Sequence, residues 1–216
     1  MDAHRLDERH AMVREQLEKR GIRNPWLKQA MLDVPRHLFV LEKDQPRAYE
    51  DGPLPLGFGQ TISQPYIVAS MIELIDPQAA HRVLEIGVGS GYSAAILSRL
   101  VGKVFGVERE ASLLAQAEKR SQSLHLSNLY LKQGDGTLGW AQEAPFDAIL
   151  VAAGSPQAPP SLLSQLKVGG VMVIPVGGRD EQVLMRIVKK SEGHFQEKAL
   201  YAVRFVPLVG AEGWRD

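Results

Sequence analysis

The sequence predicts an α/β fold: a doubly wound, mostly parallel seven-stranded sheet, preceded by a helical cap and closed by an antiparallel β-hairpin. Between about residues 82 and 175, short apolar runs alternate with helical stretches, the pattern of parallel strands joined by crossover helices. The run Val83-Leu84-Glu85-Ile86-Gly87-Val88-Gly89-Ser90-Gly91-Tyr92 reads as a buried strand breaking into a glycine turn that opens a helix. Near the end, Gln182 to Lys189 and Glu197 to Val206 are β-rich. Only the turn Ser191-Glu192-Gly193-His194 joins them, so they make a hairpin on the sheet edge and not a crossover.

The elements follow in order. From His4 to Arg20, Leu6, Met12, Val13 and Leu17 fall at helical spacings, and Gly21 follows as a stop. A second short helix runs from Pro25 to Leu32 and ends before Pro35. Asp51 to Pro65 holds three glycines and three prolines and reads as a loop. Pro65 suits the first turn of a helix that buries Val68, Met71, Ile72 and Ile75 until Asp76-Pro77 ends it. Strands are then expected near 82–86, 103–107, 128–132, 146–151 and 170–175, with helices near 91–100, 111–124 and 159–167. Residues 1–216 read as a single domain: 1–80 a helical region and active-site loop, 81–180 a cofactor-binding core, 181–216 a hairpin and tail.

Composition narrows the function classes. Lys+Arg and Asp+Glu both number 25, so no net field draws the chain to nucleic acid or an acidic membrane. With no cysteine there are no disulfides, thiolate metal sites or cysteine nucleophiles. Met1-Asp2-Ala3-His4-Arg5 leads into charged helical sequence, and no run approaches the ~18 apolar residues that span a bilayer. A cytoplasmic monomer, bound to neither nucleic acid nor membrane, is the expectation. His4, His10, His37, His81, His125 and His194 are scattered without ligand spacing, which assigns them surface or packing roles and predicts no metal. Lys189-Lys190 and Arg179-Asp180-Glu181 read as solvated charges.

The chemistry converges on the carboxyl ends of the strands, where open α/β sheets bind ligands. A dinucleotide turn reads G-x-G-x-x-G, with its third glycine where Tyr92 stands. Here the pattern is G-x-G-x-G with Glu85 two residues upstream. A carboxylate so placed repels a pyrophosphate but suits a sulfonium and an ammonium, which points to S-adenosylmethionine. Glu108 lies about twenty residues past the first glycine, the distance at which a carboxylate accepts from ribose hydroxyls. Asp135, in Gly134-Asp135-Gly136, is placed to accept from an adenine amino group while Gly136 lets the ring lie against backbone. Each has a plainer alternative: a tight turn, a solvated strand-end charge, an Asp-Gly turn former. Ser63 is the candidate for substrate chemistry, with helix capping at Pro65 as its alternative. No G-x-S-x-G elbow or neighbouring histidine makes it a hydrolase nucleophile.

The segment Pro53-Leu54-Pro55-Leu56-Gly57-Phe58-Gly59-Gln60-Thr61-Ile62-Ser63-Gln64-Pro65-Tyr66-Ile67-Val68-Ala69 closely resembles the signature ahead of the cofactor motif in protein-L-isoaspartate O-methyltransferases. The likeness continues through Val83 to Tyr92, Gly134-Asp135-Gly136 with Ala144 to Ile149, Leu166 to Gly170 with Val173 to Gly177, and Val203-Arg204-Phe205-Val206-Pro207-Leu208. It thus covers nearly the whole chain up to about Val209. The glycine motif is generic to methyltransferases, whereas Gly-Gln-Thr-Ile-Ser and Phe-Val-Pro-Leu are specific to this family. The resemblance implies a class I, Rossmann-like methyltransferase with its last two strands exchanged relative to the commonest order. It implies Ser63 as the active-site serine and Gln60, Thr61 and Ile62 in the loop covering the cofactor. It further implies that Glu85, Gly87, Gly89 and Ser90 hold the methionyl part, Glu108 the ribose, and Asp135 with Gly136 the adenine. Val206 to Val209 would help line the peptide groove. Val88, where a small hydroxyl residue is common, and Gly154-Ser155-Pro156, where alanine-proline is common, depart from the family pattern.

On that resemblance the acceptor is the free α-carboxylate of an isoaspartyl residue in a damaged protein or peptide. Such a group, with a reference pKa of about 3.5 to 4, is already an anion at neutral pH and needs no general base. The site then has only to hold one carboxylate oxygen in line with the methyl group, at roughly 3 to 3.5 Å, and exclude water. The products are S-adenosylhomocysteine and a methyl ester that closes to a succinimide, opening the way to repair. Two competing readings are a methyltransferase for other acceptors and a noncatalytic nucleotide-binding module. For an amine acceptor, Val151 to Pro156 offers no Asn/Asp-Pro-Pro-aromatic motif. The binding module predicts NAD or nucleotide binding without transfer, which a thermal-shift comparison of S-adenosylhomocysteine with NAD separates from the enzyme readings.

Overall fold

The computed structural model describes residues 5–215. Among the described residues nine strands and six α-helices alternate much as the sequence suggests, and seven of the strands form one sheet. The parallel set is β3 (Arg82–Ile86), β4 (Lys103–Glu108), β5 (Leu129–Gln133), β6 (Phe146–Val151) and β7 (Leu166–Gly177). Two antiparallel strands, β8 (Gln182–Ser191) and β9 (His194–Val203), complete it in the order β5-β4-β3-β6-β7-β8-β9. Strand order therefore reverses between β3 and β6, which lie side by side in parallel register with Ile86 opposite Val151. Loops leaving those two strands diverge to opposite sides and open a crevice at their carboxyl ends.

The sheet is buried on both faces, so its central strands are almost continuously apolar. Val83, Val104, Ala148, Leu150 and Val173 face one core with α2 (Pro25–Asp33), α3 (Pro65–Leu74), α4 (Tyr92–Leu97) and α5 (Ala111–Ser123). Leu84, Ile86, Phe105, Val107, Ile149, Val151 and Met172 alternate onto the other core, where Leu162 of α6 (Pro160–Gln165) packs. By this alternation Glu85 points with Val83 into the first core, a lone carboxylate on an apolar face.

Several expectations need correction. The first helix is not uniform: α1 (Leu6–Met12) passes through a wider π-type turn at Val13–Leu17 and a 3-10 turn at Glu18–Arg20. His4 lies outside the described residues. Residues 54 to 62 are not merely a loop, because β1 (Leu54–Gly57) pairs antiparallel with β2 (Gln60–Ile62). Leu54, Leu56 and Ile62 point inward while Pro55 and Thr61 face out, so a proline without an N–H is tolerated in a two-stranded ribbon. The helix expected over 159–167 stops at Gln165, and β7 begins at Leu166 with a register shift that absorbs Gly169 and Gly170. Strand β9 ends at Val203, not Val206. The chain then leaves the edge and crosses the strand ends, with Gly154 N–H donating to Val206 O and Leu208 N–H donating to Gly154 O, each at 2.8 Å. Lys189 is buried, its stem within the sheet edge and its ammonium 2.9 Å from Glu192.

Candidate functional site

The glycine turn after β3 is built by backbone geometry that side chains resist. Gly87 and Gly89 have φ of 80° and 54°, and a Cβ on Gly89 would lie 3.5 Å from Leu56 of the hairpin above it. The hairpin is thereby seated directly over the turn. Glu108, the last residue of β4, shapes the turn from the side: Oε2 accepts the Gly89 N–H at 2.7 Å and Oε1 the Glu110 N–H at 2.8 Å. Ser90 is buried, and its carbonyl accepts from Arg120 at 3.1 Å.

Three adjoining concavities meet here. The first, about 50 Å³ and lined mainly by buried residues, has Thr61, Ile62, Ser63, Glu85, Gly87, Gly89, Ser90 and Phe205, among others, on its walls. A second of about 330 Å³ continues over Glu108 and is walled by Gln60, Gly136, Val206, Val209 and the exposed Phe58. The third, about 340 Å³, opens outward between Arg20, Tyr66, Tyr201 and Arg204, with Val206 on its wall. Ser63 lines the first and third, while Thr61 and Ala152 line all three. A larger concavity of about 670 Å³ lies beside β5 and carries none of the candidate residues; aromatic Phe105, Tyr130 and Trp140 border it.

Glu85 dominates the electrostatics of the first cavity. It is 1% exposed, its Oε2 has no hydrogen-bond partner, and its pKa is pushed up to about 8. Burial is the main cause, the charge of Glu108 adds to it, and the Ser93 hydroxyl opposes it. A buried carboxylate with one oxygen unpartnered, facing a cavity, fits a ligand carrying an ammonium or another cation. Glu108 leaves one lone pair on each oxygen for hydroxyl donors, since each accepts one backbone N–H. These residues therefore fit S-adenosylmethionine: an acid for the charged end, a glycine turn for close approach, and a second acid for a ribose.

Ser63 follows β2 and does not cap α3, whose N-cap is Gln64 with no side-chain capping bond. That removes the capping alternative. Asp135 sits farther out, in a shallow hollow with Arg109, Gly134 and Val209. Its Oδ1 accepts from the Thr137 N–H and hydroxyl, and Oδ2 from the Ala211 N–H at 2.7 Å, so one acceptor position remains for an adenine. Val209 borders this hollow and the Glu108 cavity, whereas Val206 borders both the Glu108 cavity and the outward groove.

Ala152, at the end of the fourth parallel strand, lines all three cavities, as its place at a strand end predicts. Sequence reasoning missed Phe205 as a lining residue, since its crossing over the strand ends is a tertiary event with no local signal. Phe58 had one: an aromatic between two glycines, 57% exposed at the hairpin tip. None of the described histidines lines these three cavities, and no three His, Cys, Asp or Glu side chains among the described residues cluster as a metal site.

The chain is similar throughout to one family. The family model "Protein-L-isoaspartate(D-aspartate) O-methyltransferase (PCMT)" matches residues 7–213. A protein-L-isoaspartate O-methyltransferase of Pelotomaculum thermopropionicum is 53% identical over 215 residues, covering 100% of this chain and 94% of that protein. One of Geotalea uraniireducens, protein-L-isoaspartate O-methyltransferase 1, is 53% identical over 209 residues, covering 96% and 95%. A solved protein-L-isoaspartate O-methyltransferase superposes with a TM-score of 0.87 at 30% identity, over 95% of this chain and 67% of that one. A second, from Plasmodium falciparum and in complex with S-adenosyl-L-homocysteine, gives 0.80 at 26% identity, over 94% and 98%.

Proposed function

The chain belongs to the protein-L-isoaspartate(D-aspartate) O-methyltransferase family, and from that premise we propose how its residues divide the work. The enzyme transfers a methyl group from S-adenosylmethionine to the free α-carboxylate of L-isoaspartyl residues in proteins and peptides. We assign Ser63 to orient that carboxylate. Glu85, Gly87, Gly89 and Ser90 hold the methionyl end of the donor, Glu108 its ribose, and Asp135 with Gly136 its adenine. Gln60, Thr61 and Ile62 cover it. The observation that carries the reading is that Ser63 stands on the wall shared by the Glu85 cavity and the groove bordered by Tyr66 and Tyr201.

S-adenosylmethionine, when bound, supplies an electrophilic methyl group on a sulfonium. The chain's own residues do the rest by position and polarity. The acceptor carboxylate is ionised at neutral pH, so no residue need remove a proton from it. The Ser63 hydroxyl donates to one carboxylate oxygen and thereby directs the other toward the donor. Ile62, Val68, Met71 and Phe205 line the Glu85 cavity with apolar surface and keep water from the reacting atoms. Val206 and Tyr201 along the outward groove offer apolar and aromatic surface to the peptide backbone around the kink.

The test is transfer of labelled methyl groups to an isoaspartyl peptide, with its normal aspartyl twin as control. Base-labile label in the first peptide only is the expected result; label in both, or in neither, rejects the substrate assignment. Ser63→Ala should lower kcat by at least about tenfold while S-adenosylhomocysteine affinity changes little. Equal losses in both would give Ser63 a folding role. The proposal extends to a cytoplasmic monomer: a cysteine-free composition suits a reducing compartment, and cell fractionation and sedimentation check location and assembly state.

A further inference from the structure

Arg36 is 0% exposed, and no carboxylate pairs with it among the described residues. Its Nε donates to Ala48 O at 2.8 Å and its Nη2 to Ser63 O at 2.7 Å. The guanidinium carbon lies 5.0 Å from the centre of the Tyr92 ring, and Nη1 has no hydrogen-bond partner. A buried cation without a counter-ion is a poor device for stability, because an apolar side chain of similar volume avoids the desolvation altogether. Something other than packing must account for it.

The contacts have a common geometry. Ala48 belongs to the cap just ahead of the β1–β2 hairpin, Ser63 immediately follows that hairpin, and Tyr92 opens α4 directly after the glycine turn. Arg36 thus joins the three segments that surround the proposed acceptor position. Among the described residues no backbone N–H donates to the Ser63 carbonyl, so the guanidinium is what fixes it. A guanidinium is a rigid planar fork, and its N–H directions are set relative to one another in a way an ammonium cannot reproduce. Resting on the role given to Ser63 above, we propose that Arg36 is a positioning residue for the methyl transfer: its fork holds the Ser63 backbone at one height and angle over the cofactor cavity. The hydroxyl then meets the acceptor carboxylate in a single orientation. Arg36 lines none of the three cavities and touches neither donor nor acceptor.

The experiment compares Arg36→Lys, Arg36→Met and Ser63→Ala, and adds a backbone variant in which Gln64 is replaced by its α-hydroxy analogue. That change turns the Ser63 carbonyl into an ester carbonyl, a weaker acceptor, and leaves every neighbouring side chain in place. Arg36→Lys and Arg36→Met should each lower kcat roughly tenfold or more per folded molecule, with S-adenosylhomocysteine affinity within about threefold of wild type. The ester should slow the Arg36 enzyme about fivefold and leave Arg36→Met unchanged, since the bond it weakens is then already absent. The proposal is overturned if both Arg36 variants keep kcat within about twofold, or lose turnover and cofactor affinity by the same factor. Should neither variant fold, the ester decides alone, and unchanged turnover rejects the proposal. A neutral Ser63→Ala removes the role of Ser63 and this inference with it, whereas a slow Ser63→Ala beside a normal ester enzyme removes only this inference.

Discussion

The Glu108 carboxylate clamps the glycine turn: its Oε2 accepts the Gly89 N–H at 2.7 Å, from the end of the strand next to the one that carries the turn. The residue proposed to hold a ribose therefore also fixes the backbone on which the donor lies. Glu108→Gln keeps the shape but turns an amide N–H toward either Gly89 or Glu110, where an acceptor is needed. S-adenosylhomocysteine binding should weaken roughly 10- to 100-fold by calorimetry, the range of one charge-assisted hydrogen bond lost at a buried site. Binding within about twofold of wild type would mean that the clamp and the ribose contact are both dispensable.

Glu85 makes cofactor affinity depend on pH. With its pKa pushed up to about 8 by burial and by the nearby Glu108, the group is largely protonated at pH 6 in the free protein. A bound ammonium favours the ionised form, so binding releases a proton. Affinity for S-adenosylhomocysteine should then rise about tenfold per pH unit from pH 6 to pH 7.5 and flatten near the pKa. The sign for folding is opposite. A carboxyl whose folded pKa lies above its unfolded value stabilises the free protein fully at low pH, and that contribution is lost as pH climbs from about 4.5 toward 8. Glu85→Gln should abolish both slopes, measured by calorimetry and by thermal melts of the free protein. A persisting affinity slope in Glu85→Gln would assign the proton to another group.

What could be read in the sequence was what local pattern determines. Four parallel strands, β3 to β6, fall within a residue of their expected places because a single apolar run marks each, as at Arg82–Ile86, whereas β7 begins four residues early. The β1–β2 hairpin was hidden because prolines and glycines obscure an alternation only Leu54, Leu56 and Ile62 long. The path of Phe205 to Leu208 across the strand ends depends on hydrogen bonds to Gly154, some fifty residues away in the chain, for which no local pattern exists. Within the site, Glu85 and Glu108 were legible because spacing from a glycine turn fixes them in space. Arg36 was not, since a basic residue beside a proline gives no sign that it will be fully buried. Lys189 was misread for the same reason: burial of a long cation depends on which strand lies alongside.

Gly106 tests how tightly the site is held from behind. A Cβ built there would lie 2.6 Å from both Leu131 Cδ2 and Val88 Cγ2, so alanine forces apart β5 and the glycine turn. Overpacking of this kind costs about 1–3 kcal/mol. For a chain of this size, Gly106→Ala should lower Tm by roughly 2–10 °C in a melt without ligand. Cofactor affinity should fall as well, because Val88 sits between Gly87 and Gly89. A melting point unchanged to within about a degree would show that Leu131 yields freely.

Asp135 ties the carboxyl-terminal segment to the turn that follows β5. Burial alone would raise its pKa, but hydrogen bonds from the Ala211 N–H and from the Thr137 hydroxyl and N–H outweigh that and hold it below the ordinary carboxylate range. Glu212 is drawn in too, its N–H donating to Thr137 Oγ1 at 3.1 Å. A lowered folded pKa contributes stability above the unfolded value near 3.9, and that contribution disappears as pH falls through the folded value. Asp135→Asn sets an amide N–H against the Ala211 N–H and should release the segment at neutral pH, as protonation of Asp135 should in the wild type. Hydrogen exchange at the Ala211 and Glu212 amides is the direct measure: both should exchange at least about tenfold faster in Asp135→Asn, while β6 amides stay protected. The same loosening should weaken cofactor binding, because Val206 to Val209, which wall the Glu108 cavity, lead directly into the released residues. If exchange is unchanged but affinity falls, Asp135 acts on the adenine itself through its one remaining acceptor position and not through the tail.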